Sequence, residues 1–285
     1  MRLEDYDSEQ RLTATVKESS LITPEGSEAE IRNIVLSVGD AADFGFSVGQ
    51  SIGVVVPGPH EFGQSEHFRL YTVANMATNG SGDEIEICVK RCSYIDEFSG
   101  EKHAGVASHY LCDRQPGDEI IVTGPYGLPF TLPEEKTADL LMIGLGTGIA
   151  PFRAFVRHLY EHLGGWDGRV RLFYGAKSGL EMAYMNDRQN DFEMYYDEAT
   201  FKAFTAVSPR PHMNDPVPLD SALGEQRKEV WEMVLKHDTH VYVAGLEGMI
   251  PQLDKAFGEM AGNADKWTRR KAELVAGGRW TQLIY

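Results

Sequence analysis

The hydrophobic pattern of this chain changes near residues 131–136, and that change restricts the folds open to it. Before this point, short alternating apolar runs are separated by glycine and proline; the runs are Ile31–Leu36, Ile52–Val56, Phe68–Ala74, Ile85–Arg91 and Glu119–Thr123. Many short strands with turn signals between them predict an antiparallel β-barrel. Residues 1–25 are weakly patterned, and we expect them to form an extended arm or a first strand.

After this point, buried-looking strands alternate with helical stretches. The strands are Leu140–Ile143, Val170–Tyr174, Ala203–Val207 and Val241–Ala244, and the helical stretches are Ile149–His162 and Asp220–His237. This alternation predicts βαβ units and a parallel sheet, which binds ligands at the carboxyl ends of its strands. We therefore predict a β-barrel domain over residues 1–136, followed by a Rossmann-like parallel α/β domain over residues 137–285.

Several protein classes are disfavoured by the composition. Hydrophobic residues make up 42% of the chain and charged residues 25%, values typical of folded globular proteins. The most apolar stretch, Leu140–Phe152, contains three glycines and is shorter than the roughly 20 residues of a membrane-spanning helix. The acidic start Met1–Asp7 has neither an apolar run nor a basic transit pattern behind it, so we expect a cytoplasmic protein.

The cysteines and the net charge exclude further possibilities. Cys88, Cys92 and Cys112 are odd in number and lack C-x-x-C spacing, which argues against a disulfide framework, a metal site and an iron–sulfur cluster. The formal charge of −16 disfavours binding to nucleic acid or to an anionic membrane surface. We expect reduced thiols and no bound metal.

A glycine-rich turn, Gly144–Pro151, lies directly after a predicted strand and directly before a predicted helix. At such a position, backbone N–H groups and the helix dipole can hold a pyrophosphate. The spacing is G-x-G-x-G, which differs from the Rossmann fingerprint, and a tight turn without a ligand fits it as well. Other residues must therefore decide whether a nucleotide binds here.

The segment Arg69-Leu70-Tyr71-Thr72 lies on a predicted strand, where alternation puts Arg69 and Tyr71 on one face and Thr72 on the other. Here the chain resembles the plant-type ferredoxin–NADP⁺ reductase family, whose flavin-binding strand reads R-x-Y-[ST]. The resemblance continues, in the family's order, through Cys88–Arg91 with Tyr94, Gly105–Ser108, Gly124-Pro125, Gly144–Arg153 and Gly245–Met249. It covers nearly all of residues 30–285 and implies an FAD-binding barrel followed by an NAD(P)-binding domain.

The resemblance assigns roles to residues of the barrel. Arg69 would pair with the FAD pyrophosphate, for which a planar guanidinium is suited. Tyr71 would stack on the isoalloxazine ring, and the Thr72 hydroxyl would lie near flavin N5, where the plant enzymes more usually have serine. Tyr94 would stack on the adenine, which favours FAD over FMN.

The remaining flavin contacts follow from the same resemblance. Ser108 and the backbone of Val106 and Ala107 would complete the pyrophosphate site; the other expected contacts are Leu70, Cys88, Val89, Lys90 and Gly105. The last residue, Tyr285, would cover the second face of the flavin. Thr72 and Tyr285 would be the residues at the catalytic site. Without a flavin, these residues would be ordinary barrel surface and core, and Tyr285 an exposed tyrosine after a terminal strand.

The resemblance also implies a set of nucleotide contacts and three departures from the family pattern. The expected NAD(P) contacts are Lys90, Gly146, Thr147, Gly148, Ser208, Arg210, Gly245, Leu246 and Met249. Ala244 stands where the plant enzymes have a cysteine, and Leu283 stands where they have a glutamate. Arg210 is displaced by one residue from its expected place after Ser208, so the choice between NADPH and NADH stays open.

These assignments predict an FAD-dependent oxidoreductase of the ferredoxin–NAD(P)⁺ reductase type. A hydride would pass between nicotinamide C4 and flavin N5 in a cleft between the domains, and single electrons would pass to a ferredoxin, a flavodoxin or a similar carrier. One alternative is the NAD(P)H-dependent reductase component of an oxygenase system. Another is a noncatalytic FAD-binding electron-transfer subunit, which the departures at Ala244 and Leu283 suggest.

The acidic charge conflicts with this choice of partner, because ferredoxins are usually acidic themselves. A local basic patch would resolve the conflict. We expect such a patch from residues near the flavin edge, namely Lys90, Arg91, Lys102, Arg114 and Arg153.

Overall fold

The computed structural model describes residues 6–39, 46–60, 64–79, 82–96, 99–127 and 130–285. The chain divides into two compact units, Met1–Leu128 and Pro129–Tyr285. The first contains a closed antiparallel barrel and the second a parallel α/β sheet, so the predicted fold class is confirmed. We predicted an arm or a first strand over residues 1–25. The structure describes this segment only from Tyr6 onward, and residues 1–5 lie outside the described ranges.

In the described part of the first unit there are eight strands and one short helix. They are β1 (Arg11–Leu21), β2 (Ile31–Ser37), β3 (Ser51–Pro57), β4 (Glu66–Asn79), β5 (Gly82–Lys90), β6 (Ser93–Ile95), β7 (Lys102–Ala104), α1 (Val106–Cys112) and β8 (Glu119–Tyr126). Six strands close the barrel in the order β1-β2-β5-β4-β3-β8, and β6 pairs with β7 in a separate hairpin. Alternating apolar residues such as Ile34, Val54 and Ile87 point into a common core, as the sequence pattern requires.

Helix α1 packs across three neighbouring strands of the barrel. It packs against β3, β4 and β5, and its Ala107, Leu111 and Cys112 side chains join the barrel core. Burial raises the pKa of the Cys112 thiol to about 12, so this cysteine is protonated at neutral pH. Residues predicted on β4 and β5 to contact a flavin therefore lie on strands that share one packing helix.

The second unit alternates strands and helices. Its elements are β9 (Asp139–Leu145), α2 (Ala150–Arg157), β10 (Val170–Ala176), β11 (Phe201–Val207), α3 (Leu219–Glu225), α4 (Arg227–Leu235), β12 (Thr239–Gly245), α5 (Ile250–Ala261), α6 (Ala264–Ala276) and β13 (Trp280–Ile284). The strands form one parallel sheet in the order β11-β10-β9-β12-β13. The direction of winding reverses between β9 and β12, the place where open α/β sheets bind ligands.

Both faces of this sheet are covered, as a parallel sheet requires. On one face, Leu141 of β9 and Val243 of β12 belong to a core that includes Leu253 and Phe257 of α5. On the other face, the Tyr242 ring packs edge-on against Phe155 of α2, with the ring centroids 5.2 Å apart. None of the helices in the described part of the chain is long and apolar enough to cross a membrane.

The structure subdivides both of the helical stretches expected from the sequence. Residues 149–162 run from a 3₁₀ turn at Gly146–Ile149 through α2 into a π turn at His158–His162. Residues 220–237 form α3 and α4, which are separated at Gln226, where φ is −103° and ψ is 18°. Periodicity alone does not resolve these breaks, because the apolar spacing continues across them.

Candidate functional site

The carboxyl ends of the parallel strands bring several predicted nucleotide contacts of the second unit, together with the predicted flavin contact Tyr285, to one edge of the sheet. The glycine-rich turn follows β9, while Ser208 and Arg210 follow β11. Leu246 follows β12, and Tyr285 follows β13. Because all five strands run in the same direction, these residues share the edge at which such sheets bind ligands.

The glycine-rich turn lies against the end of β12. Gly146 adopts φ +60°, which glycine accepts without strain. A Cβ atom at Gly148 would lie 2.1 Å from the carbonyl oxygen of Ala244, so a residue with a side chain cannot occupy this position without displacing the backbone. The turn is therefore held at the point where the winding of the sheet reverses, which is where open α/β sheets bind ligands.

Tyr285 is tied to this edge at two points. Its backbone N–H donates to the carbonyl oxygen of Gly245 at 3.1 Å. Its hydroxyl lies 2.8 Å from the hydroxyl of Thr147 in the glycine-rich turn. The residue is nevertheless 56% exposed, so these bonds position a tyrosine that remains accessible to solvent.

Ser208 and Arg210 are both bonded to the same residue. The Ser208 hydroxyl donates to the backbone carbonyl of Asp215 at 2.7 Å, and Ser208 is buried. Arg210 Nε donates to the Asp215 carboxylate at 2.8 Å. Both predicted NAD(P) contacts that follow β11 are thus engaged within their own turn.

Strand β4 places three predicted flavin contacts next to one another in the barrel. Arg69 is exposed, and among the described residues it has no carboxylate partner. Tyr71 is partly buried against the barrel core, and this burial raises the pKa of its phenol, so the ring is neutral. The Thr72 hydroxyl lies 3.1 Å from that of Ser51 on β3.

The turn before α1 is fastened to the segment that follows β5. The Cys92 N–H donates to the Ser108 hydroxyl at 3.1 Å, and the Gly105 N–H donates to the Cys92 carbonyl at 2.9 Å. The Ser108 hydroxyl also lies 3.1 Å from the Gly105 carbonyl, to which it donates. These bonds draw the predicted contacts of residues 105–108 close to the end of β5, which carries Cys88, Val89 and Lys90.

The hairpin of β6 and β7 presents an exposed aromatic pair. The Tyr94 and His103 rings are stacked, with centroids 5.4 Å apart and planes 19° apart. Tyr94 is 53% exposed, although it lies in a paired strand. His103 therefore backs Tyr94 and leaves an aromatic surface accessible.

The predicted basic patch is wrong in part. Arg153 is 4% exposed; its Nε lies 2.6 Å from the Asp191 carboxylate, and its guanidinium stacks over the Tyr184 ring. It therefore contributes no surface charge.

Two other members of the predicted patch are paired with carboxylates. Arg91 bonds to Glu30 at 2.6 Å and to Asp113 at 2.7 Å, and Arg114 lies 3.8 Å from Asp118. The net charge of the first unit is also negative. Residues 1–128 hold 9 Lys and Arg against 21 Asp and Glu, a formal charge of −12. The first unit thus carries most of the negative charge of the chain.

Three residues near the predicted contacts were not expected from the sequence. Ser51 bonds to Thr72, His103 stacks on Tyr94, and Asp215 holds both Ser208 and Arg210. Of these three residues, the sequence pattern could have indicated only Asp215. Proline and asparagine between residues 209 and 214 are typical of a turn, which would return the chain toward Arg210. Within the described residues, no group of three metal-ligating side chains is placed to hold a metal ion.

Two family models match separate parts of the chain. The oxidoreductase FAD-binding domain matches residues 20–130, and the oxidoreductase NAD-binding domain matches residues 142–255. Their order is that of the barrel and the parallel sheet.

Curated relatives match almost the whole chain. The ferredoxin–NADP reductase of Thermosynechococcus vestitus is 32% identical over 270 residues, which are 92% of this chain and 69% of the relative. Leaf isozyme 1 of Arabidopsis thaliana, a chloroplastic ferredoxin–NADP reductase, is 32% identical over 93% of this chain and 74% of its own length. The Spirulina enzyme is 30% identical over 92% of this chain and 90% of its own length.

Solved structures have the same fold. Ferredoxin–NADP⁺ reductase from Plasmodium falciparum superimposes with a TM-score of 0.72 at 16% identity, covering 99% of this chain and 98% of that one. A second structure of that enzyme, with 2′P-AMP, gives a TM-score of 0.70 at 17% identity over 93% and 96% of the two chains.

Proposed function

This chain belongs to the ferredoxin–NADP reductase family, and we propose that it is an FAD-dependent oxidoreductase that exchanges a hydride with NAD(P)H and single electrons with a ferredoxin- or flavodoxin-like carrier. Family membership rests on the identity of about 30% over almost the whole chain. The structural observation that carries the proposal is the glycine-rich turn, held against β12 where the winding of the parallel sheet reverses.

The residues of the barrel fit an FAD. Arg69 is exposed and has no carboxylate partner among the described residues, so its guanidinium is available for two phosphate oxygens. Tyr94, backed by His103, offers an exposed aromatic face to an adenine. The neutral Tyr71 offers a second ring to the isoalloxazine. When bound, FAD supplies an N5 atom that accepts hydride and a ring system that releases electrons singly.

The contacts to the flavin form a proposed set. Arg69 and Ser108, with the backbone of Val106 and Ala107, hold the pyrophosphate. Thr72 directs its hydroxyl toward N5, and its bond to Ser51 restricts its rotamer. The same set contains Leu70, Cys88, Val89, Lys90 and Gly105.

For the nicotinamide nucleotide, we propose that the backbone of Gly146, Thr147 and Gly148 holds the pyrophosphate, with Lys90, Gly245, Leu246 and Met249 as further contacts. Tyr285 is proposed to cover the flavin face to which the nicotinamide binds. Its hydroxyl bond to Thr147 connects that ring to the turn that receives the nucleotide.

The two positions where this chain lacks the cysteine and the glutamate of the plant enzymes are adjacent in the sheet. Ala244 and Leu283 are register partners on β12 and β13, and Ala244 is fully buried. Two apolar side chains on adjacent strands replace two polar ones, so no buried polar group is left without its partner. Because the flavin performs the redox chemistry, this exchange affects rate and partner choice more than the type of reaction.

A second candidate is the reductase component of an oxygenase system. The observation that favours it is the charge of −12 on residues 1–128, together with the pairing of Arg91 and Arg114 with carboxylates. An acidic electron-transfer surface repels an acidic ferredoxin and suits a carrier or oxygenase with a neutral or basic docking face.

The experiment that tests the proposal starts with the flavin. We expect the purified protein to be yellow and to release FAD on denaturation, as identified by chromatography. Release of FMN, or a folded protein without flavin, would overturn the FAD assignment.

Anaerobic addition of NADH or NADPH should then bleach the flavin absorbance rapidly in a stopped-flow instrument. No bleaching with either nucleotide would favour the noncatalytic subunit. Electron transfer to a ferredoxin compared with transfer to an oxygenase component would separate the two catalytic candidates.

We also propose a cytoplasmic location. Cys88, Cys92 and Cys112 form no disulfide, which suits a reducing compartment. The relatives from Arabidopsis and rice leaves are chloroplastic, so cell fractionation with an antibody to this chain is the direct test. Recovery with the organelle or membrane fraction would contradict the proposal.

A further inference from the structure

The segment that follows β11 is a compact turn closed by Asp215. The Met213 N–H donates to the Arg210 carbonyl at 2.9 Å, and the Asn214 N–H donates to the Pro211 carbonyl at 3.1 Å. Asn214 takes up a left-handed conformation with φ +55°, which asparagine tolerates better than most residues. This geometry returns the chain to Arg210 and places the Asp215 carboxylate on the guanidinium.

The turn lies where the adenosine half of a dinucleotide would reach. The proposed pyrophosphate site is at the end of β9, and β11 is two strands away in the sheet. Neighbouring strands are about 4.8 Å apart, so the end of β11 lies roughly 10 Å from the end of β9. A dinucleotide bound along this edge would bring its adenosine ribose toward residues 208–215, on the side of β9 away from β12 and β13.

Nucleotide-binding sheets distinguish the two nicotinamide nucleotides by the charge that faces this ribose. A carboxylate accepts a hydrogen bond from the 2′-hydroxyl of NADH, whereas an arginine receives the 2′-phosphate of NADPH. Here both groups are present and bonded to each other. The Ser208 hydroxyl, a further donor for a phosphate, is used on the Asp215 backbone.

We propose that Asp215 determines nucleotide specificity in this chain, by occupying Arg210 and repelling a 2′-phosphate, so that NADH is accepted at least as readily as NADPH. This inference rests on the proposed function, because it assumes that the edge binds a nicotinamide nucleotide. The Arg210 side chain is 65% exposed, so the ion pair itself is weak and a phosphate could draw the guanidinium away. The carboxylate would remain beside the phosphate, however, and its repulsion is what cancels the advantage that Arg210 would give NADPH.

The test uses Asp215→Asn, which removes the charge, keeps the size of the side chain and retains the backbone carbonyl that Ser208 needs. The probes are 2′-phospho-5′-AMP and 5′-AMP, which differ only in the 2′-phosphate, with binding measured by calorimetry on the flavin-loaded protein. We expect the wild type to bind the two probes within about threefold, and Asp215→Asn to bind the 2′-phosphorylated probe about tenfold more tightly with no gain for 5′-AMP.

Two further variants make the test specific. Arg210→Gln in the Asp215→Asn background should keep only the part of the gain that comes from the lost repulsion, because the released guanidinium supplies the rest. Glu259→Gln removes a charge from an exposed position on α5 and should leave the ratio of the two affinities unchanged.

The inference is overturned if Asp215→Asn tightens both probes equally, leaves both unchanged or weakens the 2′-phosphorylated probe. Weakening would show that Asp215 orients Arg210 toward the phosphate. The proposed function is tested separately, by bleaching of the flavin with NADH or NADPH in the same preparation. A failed specificity test with normal bleaching thus removes only the role of Asp215.

Discussion

The hydroxyl oxygens of Thr147 and Tyr285 lie 2.8 Å apart, so a residue of the glycine-rich turn holds the residue that follows β13. The Tyr285 N–H is bonded to the Gly245 carbonyl, so the backbone of this residue is held at the same edge. Under the proposed function, Tyr285 covers the flavin face to which the nicotinamide binds, so a nucleotide would compete with an ordered tyrosine ring. In that arrangement the ring would have to move for binding, and its restraint would weaken the apparent affinity of the nucleotide.

Removal of either hydroxyl should tighten nucleotide binding. A hydrogen bond of this kind contributes about 0.5 to 1.5 kcal/mol net, so Thr147→Val and Tyr285→Phe should each lower the apparent Kd by roughly 2- to 10-fold. The measurement is a titration of the oxidised protein with NADP⁺ or NAD⁺, followed by flavin difference absorbance. Thr147→Ser keeps the hydroxyl and should behave as the wild type. Fully additive effects in the double variant would show that the two hydroxyls do not act through their bond.

Loss of the whole Tyr285 ring should have a larger effect than loss of its hydroxyl. An aromatic stack contributes roughly 0.5 to 1.5 kcal/mol beyond the area that it buries. We expect Tyr285→Ser to bind nucleotide more tightly than Tyr285→Phe, with a changed flavin spectrum on addition and an unchanged or lower kcat. Tighter binding need not increase turnover, because a bound nucleotide must also leave. Equal affinity and spectra in Tyr285→Ser and the wild type would show that Tyr285 does not cover the flavin.

Arg69→Ala should lose most of its flavin. A phosphate that keeps its charge without its partner is destabilised by about 2 to 5 kcal/mol. The measurement is the ratio of flavin absorbance to protein absorbance after gel filtration, with the FAD Kd from a fluorescence titration. Arg11→Ala is the matched control, because Arg11 is another arginine of the barrel but is paired with Glu66. If Arg69→Ala retains FAD as well as Arg11→Ala does, then Arg69 is not a phosphate ligand.

The rate of electron transfer to an acidic ferredoxin should not fall as salt is added. The charge of −12 on residues 1–128 and the pairing of Arg91 and Arg114 leave little local attraction for a polyanion. Salt screens repulsion between like charges, so kcat/KM should stay level or rise between about 20 and 300 mM ionic strength. With a basic carrier such as cytochrome c, it should fall. A steep fall with the acidic ferredoxin would reveal a basic docking face.

The Asp139 carboxylate should make folding of the second unit sensitive to acid. It is 2% exposed, and Arg169 and Lys236 lie within 3.0 Å of it. Although burial disfavours its charge, bonds from these residues hold the pKa of Asp139 below its usual value. With the folded pKa below the unfolded one, the stabilisation is present above the unfolded value of about 4 and is lost as the pH falls through the folded value.

Asp139→Asn should therefore lower the free energy of unfolding at pH 7 by about 3 kcal/mol, since it removes one partner of a largely buried ion pair. The difference from the wild type should shrink below about pH 4, where the wild-type carboxylate also becomes protonated. Urea denaturation between pH 3 and pH 8 measures both effects. A difference that is absent at pH 7, or that does not change with pH, would contradict this account.

The pattern of side chains along the sequence was sufficient to predict the two-part architecture. Inward and outward residues alternate in a half-buried strand, and buried parallel strands are apolar throughout, so the change near residues 131–136 separated a barrel from an α/β sheet. The motif Arg69–Thr72 and the turn Gly144–Pro151 identified the family for a related reason. Backbone approach and phosphate pairing permit few residue types at those positions.

The partners of charged and hydroxyl-bearing side chains were decided only by the tertiary structure. Arg153 was expected on a basic surface but is buried against Asp191, 38 residues away. Thr147 and Tyr285 are 138 residues apart, yet their hydroxyls meet. Burial and hydrogen bonding depend on which residues the fold brings together, whereas a local pattern specifies only which face of an element a side chain occupies. The physical reason is that electrostatic energy depends on distance in space and on solvent exposure, neither of which sequence separation determines.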